Sequence, residues 1–204
     1  MTPLTRPRHP LVEEALELAR DWCAGHRVDD APALGHAVRV VLTLDRHVPA
    51  APAEVVAAVL LHDGPEFAPA GRLDAELGRL GGEVLRIVRA MESEHQALDE
   101  FSTRPELVAE HVRALVEHDP WTLRASTADK IVAFRALLHR AARSGDAAAF
   151  FARRAALRER LPYFDRFSAA AGPDLPTAMA AELDQLLWHI VVVAGWRHGG
   201  VVPA

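Results

Sequence analysis

The chain has 204 residues, half of them hydrophobic and a quarter charged, the balance of a globular protein that can bury a core without disulfides. A formal charge of −5 weighs against general nucleic-acid binding, which needs a basic surface, and the lone Cys23 excludes an intrachain disulfide or a cysteine zinc cage. No apolar run approaches the ~20 residues of a membrane span and residues 1–10 lack a secretory core, so the expectation is a cytoplasmic protein with neither membrane nor nucleic acid as partner.

Taken in chain order, the apolar spacing is helical. Leu11, Ala15, Leu18, Ala19, Trp22 and Cys23 recur at steps of three and four, one face of a first helix. Residues 28–32 break it, and a second helix is predicted over 34–46, ended by Val48 and Pro49. Pro52 sits where helices start, and residues 55–61 are apolar nearly all round, the mark of a central, buried helix. That helix stops at His62-Asp63-Gly64-Pro65. Two short amphipathic segments, 73–80 and 84–91, are split by Gly81-Gly82. The polar stretch 92–104 reads as a mobile loop, and 105–117 as a helix. After Pro120 a long helix is predicted over 128–143, followed by helices over 147–161 and 179–193. Residues 190–193 have the composition of a β-run, but strand-like alternation is otherwise nearly absent. The fold class is all-α, in one domain over 1–204. The Ala/Arg-rich stretch 151–160 reads as a solvated helix face packed on that core.

Eleven histidines in so cysteine-poor a chain direct attention to a histidine–carboxylate metal site. Four positions form a set: His36 in the second helix, His62 and Asp63 at the end of the buried helix, and Asp129 opening the long one. Ionisable side chains at the end of a buried helix are costly unless paired or metal-bound. At a helix end both can turn into a cleft and approach one cation. Two imidazoles and two carboxylates suit Mn²⁺, Fe²⁺, Co²⁺ or Zn²⁺ more than Ca²⁺, and Mn²⁺ is the ion expected first. On a six-coordinate ion they leave two positions, one for water and one for a phosphate oxygen. A second pair, His118-Asp119, follows a charged stretch with no buried run before it and reads as surface. The remaining histidines, among them His26, His47, His95, His111, His139, His189 and His198, show no spacing for a second metal.

The set resembles the HD superfamily of metal-dependent phosphohydrolases, whose signature is H…HD…D. Within it the chain is most similar, over about residues 15–138, to the hydrolase domain of the RelA/SpoT alarmone enzymes and to the small alarmone hydrolases. The matching pieces are Ala24-Gly25-His26-Arg27, Ala58-Val59-Leu60-Leu61-His62-Asp63, Leu80-Gly81-Gly82-Glu83-Val84 and Ala128-Asp129-Lys130-Ile131. The resemblance implies an HD-domain helical bundle over about 11–143, with a C-terminal helical extension over about 146–204. It also implies a divalent metal on His36, His62, Asp63 and Asp129. Three departures stand out. The alarmone enzymes continue HDxxED, whereas this chain keeps Glu66 but has Phe67, which resembles the HDxxE run of HD nucleotidases. Val28 follows Arg27 in place of a lysine, and Ala133 replaces the asparagine that contacts guanine. Phosphohydrolase chemistry therefore carries over better than guanine recognition.

Glu66, three residues past Asp63, is the candidate general base or acid. Arg27 is a candidate for stacking on a base and meeting phosphate, and Lys130, the sole lysine, a candidate phosphate contact. Arg39, one turn from His36, is within reach of the cleft mouth but is not assigned a role. Trp121 and Trp188 read as core. The expected activity is removal of phosphate from a nucleotide, a nucleoside monophosphate or related ester, by attack of metal-bound water. The alternatives are a (p)ppGpp-type pyrophosphohydrolase and a catalytically lapsed, nucleotide-sensing HD protein. The partner is a small nucleotide, and a homo-oligomer is compatible with the sequence.

Overall fold

Helical spacing of apolar residues runs along almost the whole chain, and helices carry the fold. The computed structural model describes residues 3–4, 7–28, 30–104 and 106–196. Among them are eleven α-helices and one two-stranded hairpin, an all-α architecture. Helix α1 (Pro10–Trp22) buries Val12, Ala15, Leu16, Ala19 and Trp22. A hairpin follows, β1 (Arg27–Val28) paired antiparallel with β2 (Ala31–Pro32), and turns the chain into α2 (Ala33–His47). Helix α3 (Ala53–Leu60) is apolar on every side, so it is stable only if surrounded. It packs against α1, α2, α6 (Gly82–Thr103) and α8 (Pro120–Arg143), with Val55 to Leu60 all at most 2% exposed.

The short helices α4 (Gly64–Phe67) and α5 (Leu73–Leu80) bridge α3 to α6. Helix α7 (Glu106–His118) leads into α8, whose first turn is capped by the Asp119 carboxylate accepting from the Thr122 amide at 3.0 Å, with Pro120 at the first helical position. After α9 (Ala147–Ala152), α10 (Ala155–Ala171) covers α6 and α7, and α11 (Thr177–Val193) lies on α8 and α10. One continuous hydrophobic core runs from Val12 to Ile190. No helix of the described residues is long and apolar enough to cross a membrane.

Five expectations need correction. The stretch 92–104 is not a loop; its residues to Thr103 are the second half of α6. Its polar residues include Glu94, 1% exposed, which continues the inward stripe of Val84, Ile87, Val88 and Met91 and finds polar partners there. Asp129 does not open a helix; α8 begins at Pro120, and Asp129 is in its third turn, because Thr122, Ser126 and Thr127 are buried rather than solvated. The helix predicted over 147–161 breaks at Arg153–Arg154, where the Arg154 guanidinium lies 3.4 Å from the Phe150 ring centroid and donates to the Phe150 carbonyl at 2.9 Å. By contrast, the helix predicted over 179–193 is present as Thr177–Val193 with Ile190 buried, and the β-like composition of 190–193 forms no strand. Asp119 is not a surface residue: it is 7% exposed and paired with Arg86, although His118 is exposed. Trp188, read as core, is 60% exposed, whereas Trp121 is partly buried beside Arg124. His198 lies outside the described residues.

Candidate metal centre

Three elements bring the histidine–aspartate set together. His36 projects from α2, Asp129 from α8, and His62 and Asp63 occupy the turn that ends α3. This turn is shaped locally. The Leu61 amide donates to the Ala58 carbonyl at 3.0 Å and the Gly64 amide to the Leu61 carbonyl at 2.8 Å. His62 Nδ1 donates to the Val59 carbonyl at 2.8 Å, since a carbonyl only accepts. In the neutral ring that bond holds the proton on Nδ1 and puts the lone pair on Nε2, the arrangement found in metal-ligating histidines. Gly64 lets the turn press against α1: a Cβ there would lie 2.8 Å from the Trp22 ring.

Asp129 Oδ1 is the convergence point. His36 Nε2 lies 2.9 Å from it and His62 Nε2 lies 3.6 Å from it, while Asp63 Oδ1 is 3.3 Å from His62 Nε2. Ligand atoms of His36, His62 and Asp129 all lie within 4.8 Å of one another, so this group can hold a metal ion. All four residues are at most 8% exposed. Yet His36 Nδ1, His62 Nε2 and Asp63 Oδ2 are buried with no hydrogen-bond partner among the described residues. Buried polar atoms are nearly always paired, and the orphan among these that faces Asp129 and Asp63, His62 Nε2, fits a site that can take a cation.

The charges balance around the same need. Burial pushes the His62 imidazole down, but Asp63, Asp129 and the Val59 carbonyl outweigh it and raise it to about 10. Burial likewise pushes the Asp129 carboxyl up, and His36, His62 and His95 more than reverse this, holding it well below the usual carboxylate range. The pocket thus demands positive charge beside its two carboxylates, which protons or a divalent ion can supply.

His95, given no role from the sequence, belongs to this centre. Its Nε2 lies 3.3 Å from Asp129 Oδ2, the oxygen turned away from His36. The one signal for it was position, four residues past buried Met91 on the same helix face. His95, His62, Glu66 and Glu92 line a cavity of about 240 Å³ that opens on the centre. Glu66 is exposed there, on α4. Phe67, next to Glu66, stacks on His26 with ring centroids 4.5 Å apart. Arg27 is exposed on the hairpin, donating to the Asp30 carbonyl.

Lys130 faces the other way. It is 5% exposed, ion-paired with Glu94, and its Nζ lies 4.1 Å from the Phe167 ring centroid, so its ammonium is a buried structural cation and not a free phosphate contact. The other histidines are accounted for locally: His47 lies 2.9 Å from Glu182, His111 packs on Phe101, His189 meets Trp188, and His139 lines a separate cavity. Comparison with models of known families, with curated proteins and with solved structures finds no match to this chain.

Proposed function

We propose that the protein is a metal-dependent phosphohydrolase acting on a nucleotide, a nucleoside monophosphate or related phosphate ester being the preferred substrate. The observation that carries this reading is the convergence of His36, His62 and Asp129, with Asp63 Oδ1 3.3 Å from His62 Nε2 and that nitrogen without a hydrogen-bond partner. The H…HD…D order of these residues resembles that of HD phosphohydrolases. Mn²⁺ is the first ion to try, and the mixed imidazole–carboxylate donor set admits Fe²⁺, Co²⁺ and Zn²⁺ as alternatives. When bound, such an ion supplies Lewis-acid stabilisation of phosphoryl charge and acidifies water.

The chain's own groups then divide the remaining work. Glu66, exposed to the cavity that His62 and His95 share, accepts a proton from the attacking water. The water oxygen forms the new bond to phosphorus, the ester P–O bond breaks, and the proton passes to the leaving oxygen. His95, whose Nε2 lies 3.3 Å from Asp129 Oδ2, offers its other ring nitrogen to a phosphoryl oxygen. Arg27, on the exposed hairpin, offers a guanidinium plane to a base or phosphate.

The test is direct. Purified protein with Mn²⁺ is given AMP, dAMP, GMP, ATP and ppGpp, and released phosphate or pyrophosphate is measured. Phosphate from a monophosphate supports the reading; pyrophosphate from ppGpp favours the (p)ppGpp-type alternative. Glu66→Gln should keep bound metal and lose about 10²–10⁴-fold in turnover, and full activity in that variant removes Glu66 from the chemistry. One observation favours a nucleotide-sensing role instead: Phe67 is engaged in a stack with His26 where the alarmone hydrolases carry an acid. Saturable nucleotide binding without turnover, with each divalent ion tried, selects that reading.

A further inference from the structure

The seam between α2 and α8 continues beyond the metal centre. One turn past His36 and Asp129 it opens into a second cavity, of about 580 Å³, walled by α2, α8 and the hairpin. None of the four clustered metal-site residues lines it. Arg39, Arg46, Arg135, Arg140 and Arg143 face it, with His139, over an apolar floor that includes Leu42 and Val132.

The acids nearby do not match these cations. Asp30 lies 3.3 Å from Arg140, and Glu182 takes Arg46 at 2.5 Å and also pairs with Arg135. Arg39 and Arg143 are exposed and have neither ion pair nor hydrogen bond among the described residues. Among the described residues, Asp30 and Glu182 pair with Arg140, Arg46 and Arg135, while Arg39 and Arg143 bring unpaired guanidiniums to one concavity of a chain whose formal charge is −5. A concave wall of low dielectric lined by one sign of charge focuses potential on an incoming counter-ion. Guanidiniums stay charged at any working pH, and their planar forks match phosphate oxygens. The seven helical steps from Arg39 to Arg46 and the eight from Arg135 to Arg143 each span about 10–12 Å of helix, longer than one phosphate group.

We propose that this cavity binds an oligophosphate, two or more linked phosphate groups, with Arg39 and Arg143 as its principal contacts. The site does not rest on the hydrolytic reading, because its contacts exclude the metal-centre residues. Its ligand is either a free oligophosphate or the phosphate chain of a nucleotide.

The experiment is calorimetric titration of the full chain, without metal and at low salt, with inorganic tripolyphosphate and separately with orthophosphate. Saturable binding of one tripolyphosphate per chain is expected, much tighter than orthophosphate and weakened by added salt. Arg39→Ala combined with Arg143→Ala should weaken it by about tenfold for each arginine lost. The paired lysine substitutions should retain part of that affinity. Asp129→Asn should bind tripolyphosphate as the wild type does, whatever its metal affinity. ATP competing with tripolyphosphate identifies the ligand as a nucleotide's chain, and failure of ATP to compete identifies a free oligophosphate. The proposal is overturned by absence of saturable binding, by equal affinity for orthophosphate, by wild-type affinity in the double alanine variant, or by loss of binding in Asp129→Asn. Both arginines are exposed, so circular dichroism of the variants should match the wild type.

Discussion

Two buried carboxylates stand side by side in this protein and have opposite surroundings. Glu94 and Asp129 belong to neighbouring helices, and each is one residue from a member of the other's cluster, His95 and Lys130. Both Glu94 oxygens are provided for: Ser126 Oγ donates to one at 2.7 Å, and Lys130 and the Tyr163 hydroxyl donate to the other, while His111 Nε2, 3.6 Å away, adds charge without a hydrogen bond. Burial pushes its carboxyl up, but Lys130, with His111 and Tyr163, reverses this and holds it well below the usual range. Asp129 is ringed by imidazoles, two of which keep an orphaned nitrogen. A carboxylate with both oxygens satisfied fixes helices against each other, whereas a buried nitrogen left unpaired beside a carboxylate can take a ligand. The Glu94 cluster ties α6, α7, α8 and α10 together and thereby sets His95 opposite Asp129.

Breaking the Glu94 cluster should have the largest effect on stability. Glu94→Ala leaves the Lys130 ammonium buried without its partner, and denaturant unfolding should show a loss of about 3–5 kcal/mol. Glu94→Gln combined with Lys130→Met removes both charges at similar volume and should restore most of that loss. A double variant as unstable as Glu94→Ala would mean that the ion pair itself, and not the isolated charge, carries the stability.

The contrasting variant is Asp129→Asn. It should fold, and it should lose the response to metal. For the wild type, Mn²⁺ at a hundred times its dissociation constant should raise the unfolding free energy by about 2.7 kcal/mol. Asp129→Asn should show no such rise, and metal analysis of the purified variant should find the ion absent. Gly64→Ala sharpens the comparison from outside both clusters. Its new Cβ meets the buried Trp22 ring, so the turn that carries His62 and Asp63 must shift. Overpacking of this kind costs about 1–3 kcal/mol, and here it should weaken metal binding as well. Unchanged metal affinity would show that the turn absorbs the shift without moving its ligands.

The comparison also explains what the residues disclosed before folding. His36, His62, Asp63 and Asp129 were legible because ionisable types ended or interrupted apolar helical runs, where burial is evident from pattern alone. The all-α class followed from the same spacing. Glu94 and His95 were not legible, because polar residues in a helical stretch look solvated until the partners that bury them are known. Those partners come from α7, α8 and α10, up to 69 residues away along the chain. Lys130 was misplaced for the same reason, its charge assigned to a ligand when a neighbouring helix already held the counter-ion. The break at Arg153–Arg154 carried no glycine or proline to announce it. The arginines of the α2–α8 cavity sit at positions that, helix by helix, read as ordinary solvated faces; only the pairing of the two helices makes them one wall.

A third acid tests whether a buried carboxylate's partners can be read from its pH response, with the smallest effect of the series. Asp119 is both the N-cap of α8 and the partner of Arg86, whose Nη2 donates to it at 2.9 Å. Burial pushes its carboxyl up, but Arg86 and the Thr122 amide outweigh this and hold it below the ordinary carboxylate range. A lowered folded-state pKa means the stabilising contribution is fully present above the unfolded value, about 3.9, and is lost as pH falls through the folded value. Asp119→Ala should therefore cost about 1 kcal/mol near neutral pH, the usual cost of a lost cap, and the gap from wild type should narrow below pH ~4. Unfolding midpoints measured for both proteins from neutral pH down through the acid range check this directly. A gap that stays constant across that range would assign the stabilisation to packing around Asp119, because only an ionised cap has a contribution that protonation removes.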